Sequence, residues 1–173
     1  MEALKCNVCR RPKAILSCGI LQEPICKKCV VILEKGSFSY LPEIPPELTH
    51  KHYCGRCYDD KVAPQLADYE STMARARQLF VYVKGQGEET RLMGRNEKPI
   101  RIEHCVDKNE TLLRLAFLAA RKGFNALLDV EVLAKKVRDE GFQTTSWSAS
   151  GIPTQLDAKW VERSAKLRTS KPI

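Results

Sequence analysis

Hydrophobic and polar positions follow a clear period only in the second half of the chain. Leu79–Lys84 is a run of apolar, β-branched and aromatic residues, and Ile100–Val106 alternates apolar with charged or polar residues. Both patterns are typical of strands. Phe124–Val132 and Gly141–Ile152 favour two further strands, whereas residues 132–139 fit either a continued strand or a turn. The pattern therefore predicts four strands in this half of the chain.

Two helices are predicted between and after these strands. Asp107 begins a capping-box pattern with Glu110, and Gly123 fits the position just past a helix end. The segment between them is mostly apolar, so this helix must be covered on several sides. Residues 157–167 predict a closing helix. The order strand–strand–helix–strand–strand–helix is typical of an α+β fold, with a helix packed on a small antiparallel or mixed sheet.

The first 60 residues lack such periodicity. They hold seven of the eight cysteines, and a segment of this kind cannot bury a large apolar core, so we expect metal to stabilise it. Residues 61–80 predict a helix, because apolar side chains recur near helical spacing and Pro64 suits a first turn. We therefore divide the chain into a cysteine-rich module at 1–60, a connecting helix at 61–80 and an α+β domain at 81–173.

Six of the eight cysteines fall into Cys-x-x-Cys pairs. Two intervening residues allow a tight turn to direct both sulfurs at one ion, which supplies half of a tetrahedral zinc site. A reducing compartment keeps such thiols available to metal. The pairs are Cys6 with Cys9, Cys26 with Cys29, and Cys54 with Cys57. Three pairs this close in sequence predict zinc, although redox or structural thiols are the alternative.

Three pairs supply one complete site and half of another. Cys18, His50 and His52 are the available partners for the unfilled half, and the choice between the two histidines stays open. With four protein ligands on each ion, no position remains for substrate or water, which favours structural zinc. The alternative for Cys18 is a small buried apolar side chain. We assign Cys6, Cys9, Cys26 and Cys29 to one Zn²⁺, and Cys18, Cys54, Cys57 and either His50 or His52 to a second Zn²⁺.

This spacing resembles that of interleaved two-zinc modules. The run Cys6-x2-Cys9-x8-Cys18-x7-Cys26-x2-Cys29, followed by histidine and Cys54-x2-Cys57, is similar to B-box, RING and FYVE-type fingers. The B-box is the nearest in spacing, but Leu21 stands where that family has a Cys or Asp ligand. The histidine of RING fingers and the basic motif of FYVE fingers are absent. The resemblance implies an interleaved architecture and carries over neither ubiquitin transfer nor lipid binding.

The second half has a resemblance of its own. The segment from Gly123 to Leu128 resembles the Gly-x-Asn-Ala-(aliphatic)2 segment of a small bacterial α/β family described as heavy-metal-binding. Ser148–Ile152 is similar to the glycine turn that ends a later strand there. Members of that family tend to form ring-like oligomers, so the resemblance implies a homo-oligomer through this domain. A cysteine-rich module ahead of such a domain resembles a class of uncharacterised bacterial two-domain proteins.

Composition and charge narrow the class of protein. With 43% apolar and 29% charged residues the chain is typical of globular proteins. The longest apolar run, Leu112–Ala120, is broken only by Arg114 and is far shorter than a membrane span. The N-terminus lacks the pattern of a signal peptide. We therefore expect a cytoplasmic protein that does not bind membranes. Two zinc ions held by seven thiolates would lower the formal charge from +8 to about +5.

The sequence lacks the common catalytic motifs. It has no nucleophile elbow, phosphate-binding loop or His-Glu-x-x-His motif. Cys105 is expected to fill the core, with its neighbour His104 on the opposite face. The expected function is therefore a non-enzymatic interaction or scaffold protein with a protein partner. Nucleic-acid binding is the alternative, and a ligase-like or metal-dependent enzyme comes third. The basic residues that could contact nucleic acid are Arg10, Arg11, Lys13, Lys27, Lys28, Arg75, Arg77, Lys135, Lys136 and Arg138.

Overall fold

The structure is a computed structural model that describes residues 4–12, 14–85, 90, 93–139, 142–157, 159–160 and 162. It contains several small sheets and one long helical stretch, so the predicted α+β class is confirmed. The chain divides into two units, Met1–Glu70 and Ser71–Ile173. The finer division at residues 60 and 80 stays a prediction. Within the described part of the chain, no helix has both the length and the apolar character that crossing a membrane requires.

The first unit is built from short antiparallel hairpins. β1 (Leu16–Ser17) pairs with β2 (Pro24–Ile25), and β3 (Val30–Ile32) pairs with β4 (His52–Cys54). A 3-10 turn, Pro46–Leu48, lies in the loop between β3 and β4. Strands of two or three residues bury too little surface to be stable alone. The unit therefore needs stabilisation from elsewhere.

Cysteine supplies much of the interior of this unit. Among the described residues, one buried cluster consists largely of cysteine side chains and another is apolar and aromatic. The first cluster contains Cys6, Ala14, Cys18, Ile25, Cys54 and Cys57. The second contains Leu33, Phe38, Leu48, Tyr53 and Val62. The buried Tyr53 hydroxyl donates a hydrogen bond to the Glu47 carbonyl at 2.9 Å, so its burial leaves no unpaired polar atom.

A helical stretch of 24 residues follows β4 directly. It begins with α1 (Gly55–Cys57), continues through a π-helical turn (Tyr58–Val62) and ends as α2 (Ala63–Gln78). Pro64 has no N–H to donate along the helix, and the π-helical turn lies immediately before this part of the helix. The helix predicted over residues 61–80 is therefore present but begins earlier. The reason is that the last cysteine pair itself forms the first turn.

The second unit contains one mixed sheet with the strand order β5-β7-β8-β6. Its strands are β5 (Phe80–Val83), β6 (Ile100–Cys105), β7 (Ala126–Asp139) and β8 (Phe142–Thr154). β5 runs parallel to β7, and the other two pairs are antiparallel. All four predicted strands are present. The segment 132–139, which the sequence left open between strand and turn, continues β7.

The helix α3 (Lys108–Arg121) is capped as predicted. The Asp107 side chain accepts hydrogen bonds from the backbone N–H groups of Asn109 and Glu110, at 2.7 and 2.9 Å. Gly123 adopts φ +88° just past the helix end, a conformation that glycine permits without strain. The buried residues of this helix are Thr111, Leu115, Ala116, Phe117, Ala119 and Ala120.

Two further predictions concern β6 and the C-terminal helix. Cys105 is 5% exposed and the His104 side chain 88% exposed, so the core position and the opposite, solvent-facing position are confirmed. Lys159, Trp160 and Glu162 are helical, within the predicted closing helix at 157–167. Most of that helix lies outside the described residues.

Candidate metal centre

Seven cysteine sulfurs come together in two groups in the first unit. Within each group all sulfurs lie within 4.8 Å of one another, and all eight cysteines of the chain are free thiols. The groups are Cys6, Cys9, Cys26 and Cys29, and Cys18, Cys54 and Cys57. Because Cys18 lies between the two pairs of the first group in sequence, the groups interleave along the chain.

The spacing of the sulfurs in the first group fits a shared ion. The Cys9 and Cys26 sulfurs are 3.7 Å apart. Sulfurs at two corners of a tetrahedral zinc site, each about 2.3 Å from the ion, would be roughly 3.8 Å apart. A disulfide bond would bring them to about 2.0 Å. The four thiols lie close enough together to hold one metal ion.

Backbone N–H groups favour thiolates in the first group. The N–H of Cys9 makes the largest contribution in lowering the pKa of Cys6 to about 6, although burial acts in the opposite direction. The N–H of Lys28 is the main cause of the lowered pKa of Cys26. The pKa of Cys29 rises to about 12, first because of its hydrogen bond with Cys26. The group therefore combines cysteines that favour the thiolate with one that keeps its proton. A bound cation would displace the remaining thiol protons.

The second group is more deeply buried. Burial is the largest influence on the pKa of Cys18 and acts to raise it, yet N–H groups led by that of Leu21 lower this pKa overall. The backbone N–H of Cys54 also donates to the Cys18 sulfur at 3.5 Å. Burial, followed by the hydrogen bond with Cys54, raises the pKa of Cys57 to about 12. This group has the donor chemistry of a metal site with three sulfur ligands.

The two candidate histidines lie close to the second group but outside it. Among the described residues, neither ring has a nitrogen within 4.8 Å of all three sulfurs. His52 belongs to β4, where its side chain shares a face with that of Cys54. Its carbonyl accepts a hydrogen bond from Gly19 at 2.9 Å. The His50 ring packs against Gly19, since a Cβ built on that glycine would overlap the ring. Whether a histidine completes this site stays a prediction.

The loop that connects β3 to β4 forms a cavity that the sequence pattern does not predict. The cavity measures about 460 Å³, and His50 is one of the residues that line it. Ile44 is 41% exposed at this site. The cavity carries two cationic residues, Lys35 and Lys51, as well as an apolar surface from Leu33, Phe38, Ile44 and Leu48. These apolar residues follow neither a helical nor a strand period, so no periodic signal marks them in the sequence.

Comparisons with known proteins return no match to this chain among protein-family models, curated proteins or solved structures. The likeness to two-zinc fingers and to the heavy-metal-binding family therefore remains a resemblance of sequence. What the structure supports is the coarser statement that two cysteine groups could bind metal ions.

Proposed function

We propose that this chain is a zinc-binding interaction protein, in which two structural zinc ions hold the N-terminal unit in a binding-competent form. The observation that carries the proposal is the pair of interleaved cysteine groups, one with four sulfurs and one with three. An all-sulfur donor set favours zinc over hard cations such as Mg²⁺ or Ca²⁺. Seven reduced thiols also favour a reducing compartment, which supports a cytoplasmic location.

A structural role follows from the coordination and from the size of the unit. Four thiolates fill the shell of a zinc ion and leave no position for substrate. The strands of this unit have only two or three residues each, so metal binding has to provide folding free energy. The interleaved order means that both ions constrain the same chain segments. This arrangement supports a scaffold better than a metal-dependent enzyme or a ligase.

The partner we propose is a protein segment that has an apolar anchor and acidic neighbours. The cavity in the loop that connects β3 to β4 combines an apolar surface with two lysines, Lys35 and Lys51, and one glutamate, Glu34. An exposed apolar pocket with flanking charge is typical of an interaction site. We also propose self-association of the second unit, because β5 and β6 are the edge strands of its sheet.

The proposed protein partner can be tested with two matched isoleucine variants. Ile44 is 41% exposed at the cavity and Ile15 is 65% exposed elsewhere in the unit. Purified candidate partners recovered with the zinc-loaded chain should lose binding with Ile44→Asp and retain it with Ile15→Asp. Equal binding by both variants would exclude the cavity as the docking site.

X-ray absorption of the zinc protein provides a separate test of the structural role of zinc, since a bound water on the four-sulfur ion would contradict that role.

Nucleic-acid binding is a second candidate, favoured by the shape and charge of β7 and β8. In the part of the chain that the structure describes, residues 135–139 of β7 and residues 142–146 of β8 pair only with each other, so this end of the two strands forms a two-stranded ribbon. The side chains of residues 133–138 and 143–145 are exposed. Three of them are basic, namely Lys135, Lys136 and Arg138, and none is acidic. Ribbons of this kind fit the major groove, with cations on the phosphates.

The salt dependence of binding decides between the two candidates. If the ribbon contacts duplex phosphates, replacing Lys135, Lys136 and Arg138 by glutamine should reduce the slope of log affinity against log salt by about 2–3. The matched control replaces Lys27 and Lys28, which are exposed in the first unit. Wild-type affinity that does not change with salt would exclude nucleic-acid binding. Asp139 and Glu140 follow the basic residues in sequence and offset part of their charge. The slope of log affinity against log salt therefore tests phosphate contact better than the net charge of this segment does.

A further inference from the structure

The turn at Cys18 repeats the turn at Cys6. In the first turn the Arg10 N–H donates to the Cys6 carbonyl, and in the second the Gln22 N–H donates to the Cys18 carbonyl, both at 2.8 Å. Arg10 and Gln22 have φ values of 60° and 58°, although neither is a glycine. The N–H groups of Cys6 and Cys18 donate to carbonyls five residues ahead, each at 2.9 Å. The two turns therefore share one backbone conformation, offset by 12 residues.

The sulfurs of the two turns also receive equivalent hydrogen bonds. Cys6 accepts from the N–H groups two and three residues ahead, those of Val8 and Cys9. Cys18 accepts from the N–H groups of Ile20 and Leu21, at the same two positions. This is the backbone arrangement that directs two sulfurs at one ion in a Cys-x-x-Cys turn. In the second turn the position of the second sulfur belongs to Leu21, whose side chain is 48% exposed.

The second difference between the turns concerns the position after the first cysteine. The first turn has Asn7 there, and its side-chain amide donates to Glu23. The second turn has Gly19, and the missing side chain leaves room for the His50 ring. A Cβ on Gly19 would overlap Cβ and Cγ of His50 and lie 2.7 Å from its Cδ2. The turn that lacks a second sulfur thus has an imidazole packed against its backbone.

We infer that a ring nitrogen of His50 is the fourth ligand of the Cys18, Cys54 and Cys57 site and replaces the sulfur that Leu21 cannot supply. This inference rests on the proposed zinc sites and selects between the two histidines. His52 meets the same turn through its backbone carbonyl. On binding, three thiol protons leave and the neutral imidazole donates a lone pair to the ion. Neither His50 nitrogen lies within 4.8 Å of all three sulfurs in the structure, so binding requires the His50 side chain to rotate toward them.

Cobalt substitution of the full chain tests this assignment. Co²⁺ in place of Zn²⁺ gives thiolate charge-transfer and ligand-field bands that change when a nitrogen ligand is replaced by water. His50→Ala should weaken one of the two Co²⁺ sites by more than the roughly 10–100-fold that losing an outer-shell partner costs. His52→Ala should leave both sites unchanged. A spectrum altered by His52→Ala and unaltered by His50→Ala overturns the inference.

A rescue variant separates loss of a ligand from loss of folding. Adding Leu21→Cys to His50→Ala restores a fourth ligand by the route that the first turn uses, so tight binding should return with an all-sulfur spectrum. If the double variant does not regain the site, the equivalence of the turns is wrong.

¹¹³Cd bound to the wild-type chain provides a measurement without any variant, because cadmium should couple to ring protons of His50. Coupling to His52, or to neither ring, contradicts the inference, whereas failure to bind two ions contradicts the proposed zinc sites themselves.

Discussion

The backbone N–H of Cys26 donates to the sulfur of Cys6 across 3.4 Å, although the two residues are 20 positions apart in sequence. The bond connects the first cysteine of one pair to the first cysteine of another. It directs a fixed dipole at the atom where negative charge is needed for metal binding. The contact therefore joins the two pairs and adds to the N–H groups that favour a thiolate at Cys6. Losing either residue should have consequences beyond a missing ligand.

Cys26→Ser should remove one zinc ion and much of the fold of the first unit. The serine oxygen is a poor replacement in a soft all-sulfur site, so the four-ligand cluster opens. Metal analysis should show a fall from about two zinc ions per chain to about one or fewer. Cys105→Ala is the matched control, because Cys105 lies in the sheet of the other unit. A Cys26→Ser chain that retains its full metal content would show that the first group is not a zinc site.

Chelation should unfold the first unit and leave the second unit folded. Both tryptophans, Trp147 and Trp160, belong to the second unit, so their fluorescence reports on that unit. We expect a strong chelator to abolish amide protection over residues 4–62 while the tryptophan emission and the protection of residues 126–138 persist. Hydrogen exchange of the full chain measures both regions at once. Protection that persists in the first unit after the metal is removed would mean that the ions do not stabilise it.

Asp129→Asn should destabilise the second unit. Arg95 donates two hydrogen bonds to the Asp129 carboxylate, at 2.5 and 3.1 Å. Asp129 has φ 50°, a conformation that asparagine tolerates, so this substitution removes the charge with little backbone strain. We expect a loss of about 1–2 kcal/mol in the free energy of unfolding, reduced from the value for a buried pair because both side chains are partly exposed. Urea unfolding followed by tryptophan emission measures it.

The same pair predicts a pH dependence in acid. The hydrogen bond and charge of Arg95 lower the pKa of Asp129 below its ordinary 3.8. A lowered carboxyl pKa stabilises the folded state above 3.8, and this contribution disappears as the pH falls through the lower pKa of the folded protein. The difference between wild type and Asp129→Asn should therefore shrink between about pH 5 and pH 2. If the difference were constant over that range, the stabilisation would not come from the carboxylate charge.

Gly151→Ala tests the packing of α3 on the sheet. A Cβ on Gly151 would lie 2.9 Å from Cγ2 of Val130 and 3.4 Å from Cδ2 of Leu115, both fully buried. These side chains cannot move into solvent, so the substitution should cost about 1–3 kcal/mol. Gly94→Ala is the control, since its Cβ would meet only the Asn96 side chain at 3.4 Å or more. Equal unfolding free energies for the two variants would contradict close packing at Gly151.

The second unit could be predicted from sequence because its elements carry local signals. Alternation marked the strands, and the Asp107 cap and Gly123 marked the ends of α3. The start of the long helix could not be predicted in this way. Its first turn is Gly55–Cys57 with Cys54 as the N-cap, so the last cysteine pair spans the start of the helix. A periodic pattern of apolar residues marks a helix that packs on an apolar core. This turn packs against other cysteines, so it has no such pattern.

The grouping of the cysteines was accessible from spacing, whereas the geometry of the second group was not. The equivalence of the turns at Cys6 and Cys18 is a matter of φ angles and backbone hydrogen bonds, and the two sequences share little beyond a cysteine and a proline six residues later. The position of His50 depends on the pairing of β3 with β4, which is a contact distant in sequence. Such contacts have no local pattern that could reveal them.

The zinc content of the protein, purified without any chelation step, tests the central claim most directly. Native mass spectrometry combined with elemental analysis should find about two zinc ions per chain, one for each cysteine group. A chain that carries no stoichiometric metal, and that remains unchanged in structure when a chelator is added, would contradict the account.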